Sequence, residues 1–131
     1  MTRFENDVEQ VEFAPGEVLF RQGEPDTHFF IIQLGQVEVY REVNGKVSIL
    51  ATLGATESVG EFAAIDKKPR SASARALTPV KATKISEQAY AHLLSELPDW
   101  SVSVLTALVS RLRSANEIIL KYQIRDGQLT D

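Results

Sequence analysis

The chain contains no cysteine at all. That excludes disulfide bridges, thiol nucleophiles and zinc sites built on thiolates. Histidine is nearly as scarce: His28 and His92 are the only two in 131 residues, far apart and with no His-x-His pair. An enzyme working through a bound metal needs several such ligands converging on one ion. Both histidines are therefore read as structural, and neither a metal ligand nor a catalytic residue is expected. A basic surplus is missing too. The net charge is −4 and the isoelectric point about 5.2, which argues against a dedicated nucleic-acid binder. No long apolar run exists: SVSVLTALVS, residues 101–110, is the most apolar helical stretch and is far short of a membrane span. The first ten residues, MTRFENDVEQ, carry acids and no apolar targeting core. A cytoplasmic protein without membrane contact is expected, complete or an amino-terminal module rather than an internal fragment.

What is present divides into two periods. Residues 9–85 hold short β-rich runs broken by turn residues. VEFAPGEVLF splits at Pro15-Gly16 into a strand on each side. HFFIIQL, 28–34, is nearly continuous in apolar residues and reads as a strand buried on both faces. QVEVYREV alternates, with Val37, Val39 and Arg41 on one face and Gln36, Glu38 and Tyr40 on the other. Asn44-Gly45 supplies a tight hairpin turn, and KVSILATL returns beside it. ASARAL and VKATKI add two strands around Thr78-Pro79. Many short strands with turns at this spacing indicate a mainly β fold, a sandwich or a jelly-roll barrel.

From Ser86 the period becomes helical. Ser86 is placed as an N-cap ahead of Glu87, with Ala89, Leu93 and Leu94 at helical spacing. A second helix restarts at Pro98-Asp99-Trp100, and Trp100 reads as core or helix packing. Leu105, Leu108, Leu112, Ala115, Ile119 and Tyr122 follow at 3–4–3–4–3 spacing, a short coiled-coil-like seam. Two explanations compete: a helix laid on its own barrel, or a homodimer through this carboxy-terminal helix. No repeat or linker interrupts the chain, so 1–131 is taken as one domain, with a barrel over about 9–85 and helices over about 86–125.

The stretch VGEFAAIDKKPRSASARAL, 59–77, carries the chemistry. Gly60-Glu61 followed by Phe62-Ala63-Ala64-Ile65 opens a short helix whose first N–H groups lack acceptors and suit an anion. The small side chains of Ala63 and Ala64 allow a ligand close to the backbone. After the Lys67-Lys68-Pro69 turn, Arg70 offers a permanently charged fork matched to paired phosphate oxygens. Ser71 adds a hydroxyl and another N–H, ahead of Ala72. A carboxylate repels phosphate, so Glu61 makes sense only if it accepts from a neutral donor such as a sugar hydroxyl. The ligand so sketched is a phosphate fused to a ribose.

These residues resemble the phosphate-binding cassette of the cyclic nucleotide-binding domain family, known from cAMP-receptor and kinase regulatory-subunit proteins. Val59, Gly60, Glu61, Ala63, Arg70, Ser71 and Ala72 match it. The earlier segment VLFRQGEPDTHFFIIQLGQVEVY is similar to the family's other signature, with Gly23, Phe29 to Ile32 and Gly35 in register. Asp26 and Ala64 depart from the usual pattern at positions of local packing. The resemblance spans about 9–125 and implies an eight-stranded jelly-roll β-barrel (a double-stranded β-helix) with a short cassette helix and two carboxy-terminal helices. It implies a ligand set of Gly60, Glu61, Phe62, Ala63, Arg70, Ser71 and Ala72. Glu61 would accept from the ribose 2′-hydroxyl and Arg70 would pair with the phosphate, with N–H groups of Ala63 and Ser71 completing the cradle. Ile118, Ile119 and Tyr122 are the candidates for a cap over the base.

The expected function is a non-enzymatic receptor for a cyclic mononucleotide, cyclic AMP ahead of cyclic GMP, with no other cofactor. Occupancy would reach an unknown effector protein through the carboxy-terminal helices. The alternative is a degenerate domain of the same fold serving as a dimerisation or docking module without ligand. In regulators of this family a helix-turn-helix follows the long helix. Here only KYQIRDGQLTD follows, so specific DNA binding is not expected of this chain.

Overall fold

Strand pairing places every element around one apolar interior. The structure, a computed structural model, describes residues 8–125 and their side chains as far as Lys121. Eight strands run in order: β1 (Val8–Phe13), β2 (Val18–Phe20), β3 (Phe29–Leu34), β4 (Val37–Val43), β5 (Lys46–Leu53), β6 (Ser58–Val59), β7 (Ser73–Ala76) and β8 (Val80–Ile85). Helix α1 (Glu61–Asp66) interrupts them, and α2 (Glu87–Ser95) and α3 (Asp99–Arg125) follow. The strands form two four-stranded antiparallel sheets, β1-β8-β3-β6 and β2-β7-β4-β5. This is a jelly-roll sandwich, not one continuously hydrogen-bonded barrel.

Between the sheets lie Phe20, Phe30, Ile32, Val37, Val59 and Val80. The alanines 74, 76 and 82, all at most 1 % exposed, let the facing aromatic rings approach. Full burial of side chains such as Ile32 and Val37 contributes about 1.5–3 kcal/mol each. Asn44 and Gly45 both have positive φ, 54° and 79°, as a two-residue β4–β5 hairpin requires. Gly35 joins β3 to β4 at φ +98°, where a Cβ would lie 2.2 Å from the Pro79 carbonyl oxygen.

Two strand readings need correction. Strand β3 is not buried on both faces: Phe30 and Ile32 point inward, while Ile31 is 37 % and Leu34 59 % exposed. On the outer face only Phe29 is covered, by an edge-on contact with Tyr90 of α2 at 5.3 Å. Tyr40, placed with the polar face of β4, is buried because the Arg75 guanidinium lies over its ring at 4.5 Å and pairs with Glu38.

Helix α2 starts as expected, the Ser86 hydroxyl accepting from the Ala89 N–H at 3.1 Å. Beyond Ser101, the buried or half-buried positions described in α3 are Val102, Leu105, Val109, Arg113, Asn116 and Leu120, a 3–4–4–3–4 stripe that drifts away from the expected seam. Seam residues Leu108, Leu112 and Ile119 are each about half exposed, so packing on the helix's own barrel does not account for them. Trp100 is 70 % exposed and is not core. Among the described residues no helix is long and apolar enough to cross a membrane.

Candidate functional site

Because β6 ends directly at Gly60, the turn into α1 opens over the end of the β2-β7-β4-β5 sheet. Gly60 caps α1 in the left-handed region, φ +89°, without a side-chain cap. Gly60 therefore supplies no side-chain acceptor to the first N–H groups of α1, of which the Glu61 N–H meets its own carboxylate. Beneath this turn lies a cavity of about 240 Å³, below the usual size for drug-sized ligands and suited to one small molecule.

Six of the seven residues expected to bind ligand line this cavity: Gly60, Glu61, Phe62, Ala63, Arg70 and Ser71. Ala72 sits behind them, 6 % exposed, and takes no part in the lining. The apolar part of the lining is built from Phe20, Val39, Leu50, Ala51, Leu53 and Val59. A bulge explains why consecutive residues share it. Val39 pairs with Ala51 but Tyr40 with Ile49, so Leu50 is the extra residue and turns inward beside Ala51.

Arg70 is the centre of the polar wall and is only 4 % exposed. Its Nη1 donates to the Gly60 carbonyl at 2.8 Å and its Nη2 to the His28 carbonyl at 2.5 Å. The guanidinium lies 4.2 Å from the centroid of the Phe20 ring. The main chain is pinned as well: the Arg70 N–H donates to the Glu24 carbonyl at 2.9 Å, and the Arg70 carbonyl accepts from the Gly23 N–H at 2.8 Å. Among the described residues no carboxylate forms an ion pair with Arg70, and its buried Nε has no partner. Burial pulls its pKa down, against the nearby charges of Asp26 and Glu24. A cation so placed has donors to spare, since two of its five N–H groups are committed.

Glu61 faces the same space. Burial raises its pKa, while its own backbone N–H, the Ser58 hydroxyl and the charge of Arg70 favour the ionised form. Opposite charges thus sit on one cavity wall without touching each other, which suits a ligand that presents an anion to one and a hydroxyl to the other. His28 serves structurally: its ring meets Phe30 edge-on at 5.3 Å, and its carbonyl holds Arg70.

The expected base cap is placed differently. Ile118 and Ile119 are 54 % and 52 % exposed and do not line the cavity; the Tyr122 side chain lies outside the described residues. Helix α3 instead presents Arg113 and Asn116 to it. These two polar residues fall on the same helical stripe as Val109 and Leu120, a phase that the stronger Leu108/Leu112 pattern hides in the sequence.

Comparison with known proteins agrees with this geometry. The model of the cyclic nucleotide-binding domain matches residues 10–96. A CRP-like cAMP-activated global transcriptional regulator of Mycobacterium tuberculosis is 31 % identical over 110 residues, 83 % of this chain and 49 % of that protein. A cAMP-dependent protein kinase regulatory subunit of Blastocladiella emersonii is 36 % identical over 93 residues, 70 % of this chain and 23 % of its own length. The chain thus spans half or less of the curated relatives it matches. Among solved structures, the cAMP-bound EAL enzyme Bd1971 superposes with a TM-score of 0.80 at 29 % identity, covering 89 % of this chain and 31 % of that one. The cGMP-bound form of the same enzyme gives 0.77 at 28 % identity, covering 92 % and 32 %. With the family model over residues 10–96 and a relative 31 % identical over 83 % of this sequence, the chain belongs to the cyclic nucleotide-binding domain family.

Proposed function

We propose that the cavity binds a cyclic mononucleotide, cyclic AMP in preference to cyclic GMP, and that the domain is a receptor module without catalysis of its own. The observation that carries this is Arg70: a buried guanidinium held by two carbonyls, lacking a carboxylate partner and facing a cavity shared with Glu61 and Ser71. A cyclic phosphate meets Arg70, Ser71 and the first N–H groups of α1. The ribose 2′-hydroxyl donates to Glu61, and the base lies along the apolar wall of Val39, Leu50 and Ala51. The names of both curated relatives support adenine, while the EAL enzyme seen with either nucleotide makes guanine the competing outcome. Thermal-shift and calorimetric titration with cyclic AMP, cyclic GMP and a cyclic dinucleotide test the proposal. A ligand that binds only the folded state raises its stability by mass action. No shift with any of the three refutes ligand binding and favours a docking module.

The relay in this proposal runs through α3, the element that meets both the cassette and solvent. Its exposed apolar stripe, Val104, Leu108, Leu112 and Ile119, each about half exposed, supports pairing with a second copy through the same helix. The homodimer is thus part of the proposed function.

A further inference from the structure

One side chain of α3, Arg113, makes hydrogen bonds to the cassette. Arg113 donates from Nε to Asp66 Oδ2 at 2.5 Å and from Nη2 to Asp66 Oδ1 at 3.1 Å. A third, longer bond runs from Nη1 to the Pro69 carbonyl at 3.4 Å. The two charged side chains are 15 % and 5 % exposed, so this pair is largely withdrawn from water. The guanidinium also stands 5.6 Å from the Phe62 ring. Asp66 ends α1, and Pro69 immediately precedes Arg70. One arginine therefore bridges the end of the cassette helix to the turn that delivers the phosphate-facing residue. The bidentate geometry fixes orientation as well as distance.

We infer that Arg113 is a positioning residue for the nucleotide site, acting through Asp66 to hold the 66–70 turn and α3 in the arrangement that encloses the cavity. The inference rests on the proposed nucleotide reading. Arg113 and Asn116 form part of the cavity wall only while α3 is docked, so the latched state is the binding-competent one. A direct phosphate contact is the competing role, and the two roles differ in sign at Asp66. If Arg113 bound phosphate itself, neutralising Asp66 would release it and leave affinity unchanged or tighter. If it acts through Asp66, the same change weakens binding.

The test is a double-mutant cycle of Arg113→Gln and Asp66→Asn, chosen because the double variant leaves no buried unpaired charge. Calorimetry with cyclic AMP and cyclic GMP is expected to show each single change weakening binding by about tenfold, with the double variant no weaker than the worse single one, as for residues in one ion-pair network. Additive losses, or undiminished affinity in Asp66→Asn, overturn the inference. Amide hydrogen exchange in the ligand-free variants supplies a second readout. Arg113→Gln is expected to speed exchange in residues 66–71 as well as in α3, although the substitution lies on the helix. Unchanged exchange in that turn overturns the inference too. If the wild-type domain binds neither nucleotide, the functional reading falls and the exchange experiment alone decides the latch.

Discussion

Replacing Arg70 tests the site most sharply, because the structure separates what the residue does for the fold from what it offers a ligand. For the fold, its guanidinium satisfies the Gly60 and His28 carbonyls at 2.8 and 2.5 Å and lies over Phe20. A buried acceptor left without a donor costs about 1–3 kcal/mol. Part of that is offset here, since burial already disfavours the charge and truncation relieves it. For a ligand, Arg70 offers the Nη N–H groups not spent on those carbonyls. Charge-assisted bonds of this kind contribute about 1.5–3 kcal/mol, so their loss weakens binding by roughly ten- to a hundredfold or more. Arg70→Met keeps the apolar stem against Phe20 and removes all the donors. Arg70→Lys keeps a charge but not the fork that reaches both carbonyls. The expected order of affinity in calorimetric titration is wild type, then Lys, then Met, for either nucleotide. Met within about twofold of wild type, less than the smallest of these contributions, refutes the assignment of Arg70 as the phosphate ligand.

Gly60→Ala places a Cβ 2.8 Å from Arg70 Nη1 and 2.9 Å from Phe20 Cε2, at a backbone φ of +89°. It is expected to cost about 1–3 kcal/mol in a denaturant titration and to weaken nucleotide binding by displacing Arg70. Glu61→Gln addresses pH dependence: burial raises the Glu61 pKa, so the folded state holds that proton more tightly than the unfolded chain. The group's contribution to stability therefore rises as pH falls from the raised pKa to the ordinary value and is lost as pH climbs back. Glu61→Gln is expected to raise Tm at neutral pH by an amount that shrinks in acid; a Tm difference constant over roughly pH 4 to 7 contradicts this. Finally, Leu108→Glu with Leu112→Glu charges the exposed stripe of α3. Sedimentation is expected to show a wild-type dimer reduced to monomer with the fold intact, and a monomeric wild type sinks the pairing.

The cassette was legible because its chemistry is local. Residues 59–72 carry their own turn residues, a helix start and the charges of Glu61 and Arg70, so seven residues from fourteen successive positions reach one cavity, with Gly23, Glu24 and His28 only fastening Arg70 in place. The apolar wall was not legible for a matching reason. Leu50 and Ala51 face the ligand together only because of a bulge against β4, and period-2 reasoning assigns consecutive residues to opposite faces. Helix α3 misled in another way. Its strongest apolar repeat marks the face turned to solvent, whereas the face on the barrel mixes Val109 and Leu120 with Arg113 and Asn116. A pattern search weights leucines, and two polar residues in the buried stripe lowered its signal. Ile118 and Ile119, expected over the base, fall outside that mixed face and are exposed.

That mixed face has a consequence for how occupancy could leave the site. Val109 and Leu120 are buried apolar anchors of α3, each 4 % exposed, and the Arg113–Asp66 and Arg41–Glu117 ion pairs lie between them along the helix. The Arg41–Glu117 pair is partly open to solvent, with side chains 22 % and 48 % exposed, and such pairs contribute about 0–1 kcal/mol. Deleting one partner of the largely buried Arg113–Asp66 pair is the costlier change, since the remaining buried charge is left unpaired at about 3–5 kcal/mol. Docking of α3 therefore rests on Val109 and Leu120 together with the point where Arg113 touches the cassette. A ligand shifts such an equilibrium only by its differential affinity for the two states. Moving the helix from mostly free to mostly docked takes a preference of about 5.5 kcal/mol, more than a single phosphate contact supplies. The shortfall has to come from the other nucleotide contacts in the 60–71 turn, because the Arg113–Asp66 pair forms without ligand and sets the starting equilibrium rather than the ligand's preference. Severing the latch is therefore expected to favour the free helix even where Arg70 still holds the phosphate.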